Sequence, residues 1–176
     1  TAVRFCLNSL SRFVSEFGYE KDRDFVEAQM LQALESKTDK QVKTFLMNEL
    51  NLIAGEKTVE ALKKYLTDED LAEPAAQTML SVGGKSAAHA MLEALPGAPE
   101  KCKPTLMKAL GELKCTGAVK QITPFVNDKN PATQKVALAA LANIADPGSY
   151  KTLLEAAKKV NFRYEATDAA EAFLNY

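Results

Sequence analysis

Apolar positions along this chain recur on the period of a helix, and that pattern then recurs on a longer one. Four segments, Val42–Leu66, Leu71–Leu95, Cys102–Val126 and Thr133–Ala157, share a single arrangement. Ile53, Val82, Leu113 and Ile144 fall about every 30 residues. Three positions before each stands Leu50, Met79, Leu110 or Leu141, and four further back Leu46, Ala75, Leu106 or Ala137. A spacing of i, i+4, i+7 is one face of an α-helix. A second series follows each turn: Val59, Ala88, Val119 and Tyr150, then Leu62, Met91, Ile122 and Leu153, then Leu66, Leu95, Val126 and Ala157. Each unit therefore reads as helix, short turn, helix and polar linker.

The breaks fall where this reading needs them. Gly55, Gly83, Gly84, Gly117 and Gly148 separate the paired helices, and the linkers are Asp68-Glu69-Asp70, Pro96-Gly97-Ala98-Pro99 and Asn127-Asp128-Lys129-Asn130. Asn130-Pro131 and Asp146-Pro147 have the form of an N-cap followed by proline in the first turn. Thr38 and Asp39 stand where the helix carrying Val42 should be capped. A looser copy runs from Phe5 to Phe17, breaks at Gly18 and resumes from Phe25 to Leu34. A half copy runs from Tyr164 to Tyr176. Sustained alternation is absent, and Ala, Leu, Lys and Glu fill the segments, so strands fit poorly.

The expected fold is all-α: an α-α superhelix, or solenoid, of about five helix-pair repeats plus a terminal helix. It forms one array over 1–176, with repeats near 1–36, 37–68, 69–99, 100–130 and 131–161 and the terminal helix at 162–176. One helix pair cannot bury its apolar face alone; stacking on neighbours supplies the missing surface.

The segment from Asn127 to Pro147 resembles the HEAT-like repeats first noted in phycobilisome lyases. Ala137, Leu141, Ile144 and Asp146 match that unit's Ala, Leu, Ile and turn Asp. The unit's Val-Arg pair appears here as Val42-Lys43, Cys102-Lys103, Leu71-Ala72 and Thr133-Gln134. The resemblance implies a bacterial α-solenoid and a protein-binding scaffold, one module of a larger polypeptide. It leaves the activity open, since fold does not imply function.

Composition narrows the chemistry. Apolar residues make up 47% of the 176 positions and charged residues 26%, which suits a folded chain. The net charge is −1 and arginine is confined to Arg4, Arg12, Arg23 and Arg163, so nucleic acid is not the expected partner. No apolar run reaches the ~20 residues of a membrane span. The first residue is Thr1, which reads as a trimmed or processed chain. The expectation is a soluble protein, cytoplasmic or, after loss of a signal peptide, periplasmic. Cys6, Cys102 and Cys115 do not form a disulfide framework. If Cys102 and Cys115 share a helix, they stand roughly 20 Å apart.

No catalytic constellation emerges, and the chain is expected not to be an enzyme. His89 is the single histidine. It falls in the outward column of the second helices and reads as a solvated or interface side chain rather than as a base for Cys102 or Ser86. No C-x-x-C or second histidine suggests a metal. The His-Glu pairs by which HEAT-like deoxyhypusine hydroxylases hold iron are missing. Asp68, Glu69 and Asp70 read as a solvated linker, Glu69 with Glu73 as an ordinary surface pair, and Gly83-Gly84-Lys85-Ser86 as a helix–helix turn. No cofactor is expected.

The expected function is that of a protein-interaction or scaffold module. Second helices line the concave face of such arrays, which is their usual binding surface. The outward positions there are Glu60, His89, Lys120 and Lys151 and, four residues on, Lys64, Glu93, Pro124 and Glu155. Glu60, Lys64, His89, Glu93, Lys120, Lys151 and Glu155 are the candidate contacts for a protein partner. Tyr65 and Phe125 share another column, whose spacing favours sealing the repeat interface over anchoring a partner. Pro124 inside a helix either kinks it or marks a later start. Two other roles compete: lyase-like or chaperone-like delivery of a cofactor through an apolar pocket and, less favoured by charge, nucleic-acid binding.

Overall fold

The structure, a computed structural model, describes residues 2–36 and 39–176. Among these it is all-α and solenoid-like. Five helix pairs run along the chain: α1 (Ala2–Val14) with α2 (Glu20–Glu35), α3 (Lys40–Leu50) with α4 (Glu56–Leu62), α5 (Ala72–Val82) with α6 (Gly84–Ala94), α7 (Lys103–Glu112) with α8 (Val119–Ile122), and α9 (Pro131–Ile144) with α10 (Tyr150–Lys159). A last helix, α11 (Ala169–Asn175), follows. The chain divides into two compact units, Thr1–Ala90 and Met91–Tyr176.

The apolar columns form the cores of both units. Leu50, Met79, Leu110 and Leu141 are fully buried, as are Leu62, Met91, Ile122 and Leu153. Full burial of a Leu or Met side chain stabilises by about 1.5–3 kcal/mol relative to exposure. The column that opens the second helices is less uniform: Val59 is buried, whereas Tyr150 is 47% exposed and lies among the rings of Phe173 and Tyr176.

Polar contacts follow the repeat length. Thr58 donates its hydroxyl to Glu27 (2.6 Å), Tyr65 to the Leu34 carbonyl (3.1 Å), and Thr78 to the Met47 carbonyl (2.8 Å). Each of these bonds spans 31 positions. In the second unit Lys159 donates to Asn127 across 32 positions and Tyr176 to the Asp146 carbonyl across 30. Each contact ties an element to its counterpart one repeat away and satisfies polar groups that stacking would otherwise strand.

The caps are local. Asp39 accepts the Gln41 and Val42 amides at the start of α3; Thr38 lies outside the described residues. Asn130 accepts the Ala132 amide at 3.0 Å, and Asp146 the Gly148 amide at 2.8 Å. α4 is capped differently, because the buried Glu27 carboxylate of α2 takes the Gly55 amide at 2.8 Å as well as the Thr58 hydroxyl. Gly83 and Gly84, at φ of +69° and +73°, make the tight reversal between α5 and α6, a conformation glycine adopts without a Cβ penalty.

Two boundaries differ from the sequence expectation. The helix carrying Pro124 neither kinks nor starts late: α8 ends at Ile122 and passes into a 3-10 turn over Thr123–Asn127. Proline is compatible with that turn but not its sole cause, since α4 gives way to a 3-10 turn at Lys63–Tyr65 without one. The terminal helix begins at Ala169 rather than near 162. Asn161 and Phe162 both take positive φ and break the helical path. Glu165 then accepts the Thr167 and Ala169 amides ahead of α11.

Candidate functional site

All seven candidate residues, Glu60, Lys64, His89, Glu93, Lys120, Lys151 and Glu155, are exposed, so the outward register of the second helices is as read. Their surroundings differ between the units. In the first, Glu60 pairs with Lys63 at 2.6 Å and Lys64 with Glu35 at 3.2 Å. These are surface pairs of small energetic weight, and they already engage both side chains.

Tyr65 seals the repeat interface, and Phe125 is half-buried. The Tyr65 side chain is buried, and its hydroxyl accepts from Lys43 at 3.3 Å while donating to Leu34. Lys43 and Lys64 lie 5.1 and 5.4 Å from its ring centroid. Lys103 lies 5.5 Å over Phe125 in the second unit. Lys43 and Lys103 occupy equivalent repeat positions, so the same lysine–aromatic contact is built twice. Such contacts contribute about 0.5–1 kcal/mol at exposed sites.

The second unit holds two hollows on its second-helix side. One, of about 580 Å³, is lined by Thr116, Lys120, Thr123, Pro124, Asp146 and Thr152. It is an open groove between α8 and the turn leading into α10. Thr123 donates its hydroxyl to the Val119 carbonyl, and the Asp146 carboxylate accepts the Gly148 amide. The Lys120 ammonium makes no ion pair among the described residues and shares the groove with three threonines.

The other hollow, of about 300 Å³, is lined by Asn127, Gln134, Thr152, Glu155, Lys159 and Glu165, with Val126 and Leu138 among its apolar walls. Lys159 donates to Asn127 at 2.9 Å, and Gln134 to the Asp128 carbonyl at 2.6 Å. The Thr167 hydroxyl, opposed by burial and helped by the Thr167 and Ala169 amides, holds the Glu165 carboxyl below its ordinary range. Lys120 and Glu155 thus open onto different hollows, and Thr152 of α10 is the wall they share. Sequence reasoning missed Thr152, Lys159 and Glu165. The Lys159–Asn127 bond spans one repeat length, so the register carried a signal for it, whereas the fold of residues 160–168 obeys no repeat.

The groups set aside in the sequence are placed as follows. Cys102 is buried, Cys115 half-buried and Cys6 exposed. Cys102 and Cys115 flank opposite ends of α7 rather than sharing it. Asp68 accepts the Asp70 and Leu71 amides, and Lys40 bridges Asp68 and Asp70 at 3.1 and 2.7 Å. Burial pushes the Asp68 carboxyl up, but the Asp70 amide and the Lys40 ammonium outweigh it and hold it below its usual range. The acidic linker is therefore a self-capped turn, two of whose three carboxylates are bridged by Lys40 of α3. Gly83 follows a helix and Gly84 opens one, so no strand leads into the Gly-Gly-Lys-Ser sequence. Among the described residues no group of three or more His, Cys, Asp and Glu is placed to hold a metal ion. No described helix is long and apolar enough to cross a membrane.

Comparison with known proteins places this geometry. No curated protein matches the sequence. Among solved structures the chain is similar to human deoxyhypusine hydroxylase in complex with glycerol, at a TM-score of 0.47 and 16% identity, covering 98% of this chain and 79% of that one. The family model for HEAT repeats matches residues 88–173, from α6 through α11. With all-α helix pairs, buried columns at one repeat spacing and this match, residues 88–173 are HEAT repeats.

Proposed function

We propose that the chain is a non-catalytic interaction module that holds a segment of a protein partner against its second-helix face, with the groove at Lys120 as the principal contact. The observation that carries this reading is that groove: about 580 Å³, open, walled by Thr116, Thr123 and Thr152, and bearing a lysine without an ion-pair partner among the described residues. Hydroxyls and one cation suit an extended, acidic or polar segment, which gains charge-assisted hydrogen bonds there. Lys151, at the start of α10 beside Thr152, adds a second exposed cation to the second-helix face. HEAT repeats as a class support an interaction or scaffold role.

The test compares two baits, the parent chain and a Lys120→Glu, Lys151→Glu double variant whose far-UV circular dichroism matches the parent. Proteins captured from lysate of the source organism are identified by mass spectrometry. A partner retained by the parent and lost by the variant is the expected result. If both baits retain the same proteins, or neither retains any, the second-helix face is not the contact surface.

A further inference from the structure

The first helix pair carries a second surface, remote in chemistry from the groove at Lys120. α1 is apolar on more than one side. Val14 and Ser11 are buried against the unit, yet Val3, Cys6, Leu10 and Phe13, on the adjoining flank of the helix, remain exposed, at 69% for Val3, 40% for Leu10 and 50% for Phe13. Phe17 continues that flank in the following turn and is 98% exposed. Beside it, α2 presents Phe25 at 65% exposure. Between the two helices lies a groove of about 200 Å³ lined by Leu7, Leu10, Phe25, Met30, Ala33 and Leu46, with no charged side chain in its wall. An apolar stripe left bare beside an uncharged groove marks an interaction surface.

The size of the face says what covers it. At roughly 200 Å² per phenylalanine, Phe13, Phe17 and Phe25 alone leave about 400 Å² in water. With Val3, Cys6 and Leu10 the face reaches the upper end of what a monomer leaves bare, roughly 600 Å². A stable interface covers about 800 Å² on each side, which this face reaches once its polar margin is counted. Its centre is uncharged, as the core of a protein interface is. The same face also carries both a ridge, the α1 stripe, and a groove, and an interface related by a two-fold axis requires that self-complementarity. We propose that the exposed face of α1 and α2 is a homodimer interface, in which each copy sets its α1 ridge into the α1–α2 groove of the other.

The test is the mass of the 176-residue chain in solution, by sedimentation velocity and light scattering between about 1 and 100 µM, because association follows mass action. The expected mass is twice the 19.2 kDa of one chain, shifting toward one chain on dilution. Leu10→Glu and Phe25→Glu each reduce it to one chain with unchanged circular dichroism. Phe5→Glu leaves the dimer intact, because Phe5, though exposed, stands about 140° round α1 from Leu10. A parent chain of monomer mass at every concentration overturns the proposal, including one that uses this face for a different protein. So does a dimer that survives both Leu10→Glu and Phe25→Glu.

Discussion

Gly111→Ala isolates the packing on which the second unit depends. Gly111 is buried on α7 where that helix meets α9. A Cβ built there stands 2.8 Å from the Ala140 Cα, 3.1 Å from its Cβ and 3.3 Å from its carbonyl oxygen. Carbon–carbon contacts are most favourable near 3.5–4.0 Å. The nearest obstacle is helix backbone, so no rotamer change relieves it, and α7 or α9 must shift. Leu110 and Leu141, beside the contact on the two helices, are both fully buried, and any shift disturbs their packing. Against this, alanine is favoured over glycine within a helix by about 0.8–1.0 kcal/mol. Overpacking a filled core costs about 1–3 kcal/mol. With rigid backbone as the obstacle we take the upper part of that range, so the substitution destabilises by about 1–2 kcal/mol net. Urea unfolding followed by far-UV circular dichroism measures it. A Gly111→Ala chain as stable as the parent, or more stable, refutes the reasoning, because it would leave only the helix-propensity gain.

Three further outcomes are expected. Leu141→Ala, at a fully buried column position, lowers stability by about 2–5 kcal/mol in the same urea assay, and a loss below about 1 kcal/mol places Leu141 outside the core. Ala145 closes α9 in the left-handed region at φ +54°, its amide donating to the Leu141 and Ala142 carbonyls. Ala145→Gly therefore raises the thermal midpoint, with a gain of up to about 1 kcal/mol; a lower midpoint contradicts that backbone assignment. Glu165 has a carboxyl pKa lowered from 4.5 in the folded chain, by bonds from the Thr167 hydroxyl and nearby amides acting against burial. A lowered folded value gives stability that is present above pH 4.5 and lost as pH falls through the folded value. The parent's advantage over Glu165→Gln should therefore shrink between pH 7 and pH 3, and a difference independent of pH would sink the assignment.

Much of the fold was legible because repetition multiplies a weak signal. One i, i+4, i+7 series is ambiguous, but four in register make Leu50, Met79, Leu110 and Leu141 equivalent, and all four are fully buried. Register fails where the chain leaves its period. Residues 160–168 form a loop set by positive φ at Asn161 and Phe162 and by the Glu165 bonds, and neither has a counterpart in another repeat. The 3-10 turns after α4 and α8 were hidden for a different reason. They bury Tyr65 and Val126 on nearly the same face as an α-helix would, so the apolar spacing does not separate the two.

The candidate surface shows the same limit more sharply. Outward position is a matter of angle, and periodicity fixes angle, so all seven candidates are exposed. What an exposed residue can do depends on its neighbours across the repeat, and spacing within one helix carries none of that. Lys64 and Lys120 belong to related columns, yet Lys64 is held by Glu35 and lies over Tyr65, while Lys120 stands over an open groove. The difference comes from which neighbouring repeat each lysine faces, the preceding one for Lys64 and the following one for Lys120. Glu35 closes α2 within reach of Lys64; the groove at Lys120 is walled instead by threonines, Pro124 and the Asp146–Gly148 turn. If the groove is the contact surface, Lys120→Glu alone should weaken capture, whereas Lys64→Glu should leave it intact while setting two carboxylates against each other at Glu35. Equal losses from the two substitutions would show that overall charge, not the groove, selects the partner.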